Sequence, residues 1–211
     1  MKLAITGTGR SGTGYCAGLL RACGVRCGHE AVFTPSVALG RQIVDWAGHE
    51  ADCSWLAAPL LGRSGITYEV LVTRHPAAVI RSWLELNILD RDDDYTAVIE
   101  LHTPRTAQGA MADRALRHWM SWNLLAGARA AEVVRLEDVS TRHLAGWLSR
   151  LGYHREPEEL AEALATPRTV NARNDAKRRI GPLTRSMFDQ RLLARAEPVA
   201  TMFGYPDWLP A

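Results

Sequence analysis

KLAITGTGRSGTG, residues 2–14, is a short apolar strand pattern that runs without a spacer into four glycines. The stretch behind it, TGYCAGLLRAC (13–23), repeats its apolar residues at helical period and is ended by Gly24. Strand, glycine loop and helix start in that order make a phosphate-binding arrangement. Gly7, Gly9, Gly12 and Gly14 let the backbone curl so that several N–H groups point inward. A helix starting near Thr13 adds the positive end of its dipole, and Arg10, Ser11 and Thr13 add a charge and two hydroxyls.

Outward from this loop the chain alternates strands with helices. YEVLVTR (68–74) is β-branched and apolar, Pro76 stands where a first helical residue belongs, and PAAVIRSWLEL follows at helical period. Residues 109–131 read as one long helix sending Met111, Leu116, Trp119, Met120 and Leu124 toward the core. EVVRL (132–136) is another strand; helices are expected at 141–151, closed by Gly152, at about 157–165 and near 186–203. Such alternation predicts an α/β fold: one domain over residues 1–211, with a central parallel sheet of about four or five strands flanked by helices. A loop-rich stretch at about 28–66 and another insertion at about 84–108, which includes the acidic DRDDDY (90–95), are expected to form a substrate lid.

Composition narrows the function classes. The 211 residues are 47% apolar and 23% charged, so the chain is not disordered, and a net charge of +2 argues against a generic nucleic-acid or membrane-surface binder. Any anion site must be local. No apolar signal core or membrane-length run is visible, and a soluble cytoplasmic protein is the expectation. A zinc set drawn from Cys23, Cys27, His29 and Cys53 lacks a C-x-x-C knuckle, while Cys16 and Cys23 fall on the apolar face of the first helix. Buried, reduced thiols and no metal are therefore expected.

Three phosphate patterns compete for the loop. Gly7-x-Gly9-x-x-Gly12 matches the dinucleotide fingerprint, with Glu30 as the ribose acid, but GVRCGHE is too glycine-broken and polar for a buried second strand. A triphosphate loop needs Lys then Ser or Thr after the last glycine; Gly12 is followed by Thr13-Gly14. The third pattern places the cation inside the loop, as Arg10-Ser11-Gly12-Thr13. In this the chain resembles the sulfotransferases that use 3′-phosphoadenosine 5′-phosphosulfate (PAPS), whose loop binds the 5′ phosphosulfate. VLVTRHPAAVIRS (70–82) is similar to that family's second element, a strand ending in Arg, then x-Pro, then a helix with a Ser. Arg74 forking onto a 3′ phosphate with Ser82 donating a hydroxyl fits that role physically.

RALRHWMSWN (114–123) resembles the family's central helix. VVRLEDVS (133–140) resembles its Arg-Tyr-Glu-Asp-Leu turn, with Leu136 in place of tyrosine. Arg135, Glu137 and Asp138 read as ion-pair and cap residues. NARNDAKRRIG (171–181) is similar to a C-terminal loop whose arginines cover the nucleotide, here Arg173, Arg178 and Arg179. The resemblance implies a P-loop NTPase-like sulfotransferase fold and sulfuryl transfer from PAPS to a hydroxyl or amine of a small-molecule acceptor, with adenosine 3′,5′-bisphosphate (PAP) as product.

It implies a cofactor set of Gly9, Arg10, Ser11, Gly12, Thr13, Gly14, Arg74, Ser82, Arg173, Arg178 and Arg179. Arg10 doubles as an electrostatic catalyst. The general base is expected at Glu30, ahead of Phe33, with His29 second and His102, His75 and the His49-Glu50 pair behind. Trp46, Trp55 and Trp83 are candidates to line an apolar acceptor site. No nucleic acid or membrane partner is implied, and a homodimer stays open. The alternatives are an NAD(P)-dependent oxidoreductase, which leaves Arg74 and Ser82 unexplained, and a non-catalytic nucleotide-binding protein.

Overall fold

The computed structural model describes residues 1–63, 65–103, 106, 108–166 and 180–209. Five strands form one all-parallel sheet in the order β2-β3-β1-β4-β5: β1 Leu3–Thr6, β2 Cys27–Gly28, β3 Ala51–Cys53, β4 Tyr68–Thr73 and β5 Glu132–Arg135. Between them run α1 (Thr13–Ala22), the single-turn α2 (Pro35–Ala38), α3 (Pro76–Leu86), α4 (Asp94–His102) and α5 (Met111–Gly127). After β5 come α6 (Thr141–Leu151), α7 (Pro157–Ala165) and α8 (Gln190–Met202).

Strand alternation sends side chains to two separate cores. Leu3, Ile5, Val70, Val72 and Val134 pack with Leu19 and Leu20 of α1 and Trp147 of α6. Ala4 and Leu71 point the other way, toward Ile80 and Trp83 of α3, Trp119 and Trp122 of α5 and Leu193 of α8. A sheet covered on both faces suits an all-parallel ladder, whose strands are apolar on both sides.

The expected α/β architecture is present, with two differences in detail. GVRCGHE, read as too glycine-broken and polar for a buried strand, carries the buried β2, and the stretch read as loop-rich carries β3; strands of two and three residues are made by their neighbours and leave no local pattern. The other difference is in α5, where Leu124 is 40% exposed while Trp122 and Asn123 are buried. Arg173, Arg178 and Arg179 lie outside the described residues. Among the described residues, no helix is long and apolar enough to cross a membrane.

Chain direction sets up a topological switch point. From β1 the chain leaves toward β2 on one side, and from β4 it leaves toward β5 on the other. Adjacent parallel strands whose connections part in this way open a ligand site at their carboxyl ends. The glycine loop leaves β1 there and Arg74 leaves β4 there.

Candidate functional site

The loop's shape is dictated by contacts from distant elements. A Cβ on Gly7 would lie 2.3 Å from the Val72 carbonyl oxygen of β4, a backbone atom with no room to give. A Cβ on Gly9 would meet the Trp83 ring at 2.6 Å, and the Trp83 indole N–H donates to the Gly9 carbonyl at 2.8 Å. Gly12 has φ +101° as the N-cap of α1, and the Leu136 side chain lies against it. Trp83 therefore serves as the floor of the loop, away from the acceptor-lining role expected of it. Trp46 packs edge-on against Phe33, and Trp55 stacks with Tyr95.

Arg10 sits in the left-handed region at φ +74°, a conformation a non-glycine residue adopts only when its surroundings hold it. Arg74 does part of the holding: its guanidinium donates to the Arg10 carbonyl at 3.1 Å, while the Trp119 indole N–H donates to the Arg74 carbonyl at 3.2 Å. The Arg10 side chain donates through Nε to Ser82 Oγ at 2.9 Å. The two stretches singled out in the sequence thus meet, joined by their own side chains.

Electrostatics at this point favour an anion. Among the described residues, no carboxylate lies within ion-pair distance of Arg10, Arg74 or Arg81. Burial and then the Arg74 charge lower the pKa of the Arg10 guanidinium, with Glu85 opposing. Burial likewise lowers His75, with Glu137 opposing and Arg74 and Arg81 adding to the fall. Arg81, which the sequence did not single out, has a buried Nε without a hydrogen-bond partner. The Thr8 and Ser11 hydroxyls of the loop are also buried and unpartnered. Orphaned donors beside concentrated positive charge fit a phosphate-bearing ligand.

A second group of side chains flanks the start of α1. His29 and Glu30 directly follow β2. His29 Nε2 lies 3.5 Å from Thr13 Oγ1 and 3.9 Å from Glu30 Oε1, and the Tyr95 hydroxyl donates to Glu30 Oε2 at 2.9 Å. Beneath them Asp52 of β3 accepts the backbone N–H groups of Ala31, Val32 and Phe33 at 3.1–3.3 Å, fixing the turn that carries Glu30. Burial raises the Asp52 pKa against the pull of those N–H groups and of His29. An aspartate in the middle of a three-residue apolar strand was the available signal for this anchor.

The weaker base candidates are placed elsewhere. His102 Nε2 is 3.4 Å from the Ala38 carbonyl, and Glu50 bonds Tyr153 and Arg26. The His75 backbone N–H donates to Glu137, which also accepts from the Tyr205 hydroxyl at 2.8 Å, so Glu137 braces the start of α3. Arg135 pairs with Asp138 at 2.6 Å, as expected of that turn. Cys16, Cys23, Cys27 and Cys53 are all free and buried. Among the described residues, no three His, Cys, Asp or Glu side chains converge as a metal-binding group, so the zinc set drawn from the sequence is not assembled.

Comparison with protein-family models gives no match, and no curated protein is significantly similar to the chain.

Proposed function

We propose that the protein is a PAPS-dependent sulfotransferase, transferring a sulfuryl group to a hydroxyl or amine of a small acceptor. The observation that carries this reading is the joining of the glycine loop to the β4–α3 turn, Arg74 to Arg10 and Arg10 to Ser82, where the chain direction switches between β1 and β4. Two stretches that read as phosphate-binding, 64 residues apart in sequence, meet where Arg10 and Arg74 have no ion-paired carboxylate among the described residues. A nucleotide with phosphates at both its 5′ and 3′ positions is the ligand that uses both.

In this reading the loop N–H groups and the start of α1 hold the 5′ end, and Arg74 with Ser82 holds the 3′ phosphate. Arg10, between them, neutralises charge developing on the leaving phosphate oxygen; a guanidinium gives up no proton, so its contribution is electrostatic. The sulfur–oxygen bond to phosphate breaks as the bond to the acceptor forms, and Glu30 takes the acceptor's proton. PAP leaves. Positioning and charge neutralisation carry most of the rate, as in phosphoryl transfer. Arg173, Arg178 and Arg179 are assigned to covering the nucleotide.

The strand order weighs against the dinucleotide reading. There the ribose acid ends the strand beside β1, whereas here β3 is that neighbour and Glu30 follows β2, one strand further out. Parallel thermal-shift titrations with PAP, NADP and ATP test the proposal, because a ligand of the folded state raises apparent stability by mass action. PAP is expected to give the largest shift at equal concentration. A larger shift with NADP or ATP overturns the reading. Binding of PAP without any release of it from PAPS, across a screen of alcohols, phenols, amines and sugars, leaves a non-catalytic nucleotide binder.

A further inference from the structure

We infer that Tyr95 is a positioning residue for the transfer step, holding the Glu30 carboxylate by one oxygen so that the other receives the acceptor's proton. The inference rests on the sulfotransferase reading and adds to it a residue from the acidic insertion, which the sequence marks as lid without singling out Tyr95.

Glu30 stands at φ +57°, so its backbone is held and its side chain starts from a fixed direction. The carboxylate then lies between two neighbours. On one side Oε2 accepts the Tyr95 hydroxyl at 2.9 Å; on the other, Oε1 is 3.9 Å from His29 Nε2, beyond a hydrogen bond. Oε1 is therefore the oxygen left to a substrate.

Tyr95 is itself well placed to hold. It sits in the first turn of α4, which Asp93 caps by accepting the Thr96 N–H at 3.0 Å and which Arg41 ties down through Asp94 at 2.7 Å. Its ring stacks on Trp55 at 6.0 Å and 24°. Trp55 is buried against Trp83, the floor of the glycine loop, and against Trp122. A continuous series of contacts thus runs from the loop through Trp83 and Trp55 to the Tyr95 ring. Another runs from Thr13 through His29 to Glu30. The two meet at the carboxylate.

Burial, with the Glu30 charge beside it, pushes the Tyr95 phenol up to about 12. It keeps its proton across any working pH and acts as a donor. Tyr95 is therefore not the base.

The test is a double-mutant cycle of Tyr95→Phe and Glu30→Gln, with each form measured for PAP affinity and for PAP release from PAPS. Release is read with the best acceptor of the screen, or as transfer to water where none is taken. Phenylalanine keeps the stack on Trp55 and removes only the hydroxyl. Tyr95→Phe is expected to leave PAP affinity unchanged and acceptor KM within about threefold, and to lower kcat by about 10- to 100-fold, the scale of a hydrogen bond to a charged group. In the Glu30→Gln background it should lower kcat no further, because the carboxylate it positions is gone. Equal losses in both backgrounds, or undiminished kcat in the single variant, overturn the assignment of Tyr95 while PAP binding upholds the reading of the site. Absence of PAP binding in the unsubstituted protein overturns both.

Discussion

Replacing Arg74 with alanine separates the two ends of the nucleotide. Arg74 is half-buried at the carboxyl end of β4, with no carboxylate partner among the described residues and one hydrogen bond from its guanidinium, to the Arg10 carbonyl. On the proposed reading, Arg74→Ala removes a fork onto the 3′ phosphate, a charge-assisted contact of about 1.5–3 kcal/mol, or about 12- to 150-fold in Kd. It also removes the donor that holds the Arg10 carbonyl at φ +74°, an ordinary hydrogen bond of about 0.5–1.5 kcal/mol that both phosphate positions feel. Calorimetric titration should therefore show PAP losing both contributions and adenosine 5′-phosphate only the second, a loss of about tenfold or less. Arg74→Lys should fall between, keeping a charge but not the planar fork. Equal losses for the two nucleotides refute the reasoning, since Arg74 would then shape the loop without reading a 3′ phosphate.

Glu30→Gln should keep PAP affinity near that of the unsubstituted protein and lower turnover by about 10²- to 10⁴-fold. If His29→Asn is inactive while Glu30→Gln turns over normally, the base moves to His29; full turnover in both moves it out of this turn. A pH effect comes from His118, buried among Trp55, Trp83 and Trp122, whose pKa burial lowers from 6.5 to about 3. Below its unfolded value the unfolded chain takes up a proton that the folded one refuses. Stability should thus fall by about 1.4 kcal/mol per pH unit from about 6.5 downward. Urea midpoints from pH 7 to 4 should show a shallower fall in His118→Phe, and an identical slope counts against the effect. Gly7→Ala, driven into the Val72 carbonyl, should cost about 1–3 kcal/mol in chemical denaturation and abolish PAP binding. Gly146→Ala, exposed within α6 with open space at its Cβ, should instead stabilise by about 0.5–1 kcal/mol.

The elements legible in the sequence are those whose determinants are local. β1 with its glycines, Pro76 opening α3 and Gly152 closing α6 at φ +84° each announce themselves within a few residues. β2 and β3 do not, because strands of two and three residues exist only through their neighbours, and Asp52 disguises β3 as polar until its three backbone donors are seen. Arg74 and Ser82 stand out in the sequence through the resemblance of VLVTRHPAAVIRS to a family element, and both bond Arg10 in the fold. The role of Trp83 is not legible: an indole N–H aimed at a carbonyl 74 residues away has no signature along the chain. Tyr95 was hidden by the carboxylates before it. Two of these, Asp90 and Asp94, are paired with Arg114 and Arg41, and Asp93 caps a helix, so the charge run is pinned to the fold.

The glycine loop is six residues of local sequence whose form is imposed by β4, by α3 and by Leu136 beyond β5. Those contacts span 64 to 74 residues to Arg74, Ser82 and Trp83, and further to Leu136. Closing such long loops comes late in folding, since their entropy must be overcome before the contacts reward it. The loop's final form therefore waits on the same long closure as the β1–β4 pairing of Leu3 with Tyr68, and comes after the local helices. An unfolded or half-assembled chain, lacking Trp83 beneath Gly9 and Arg74 behind Arg10, has no cradle to offer. Nucleotide would bind only finished molecules, and during refolding its binding should lag behind the appearance of helical signal.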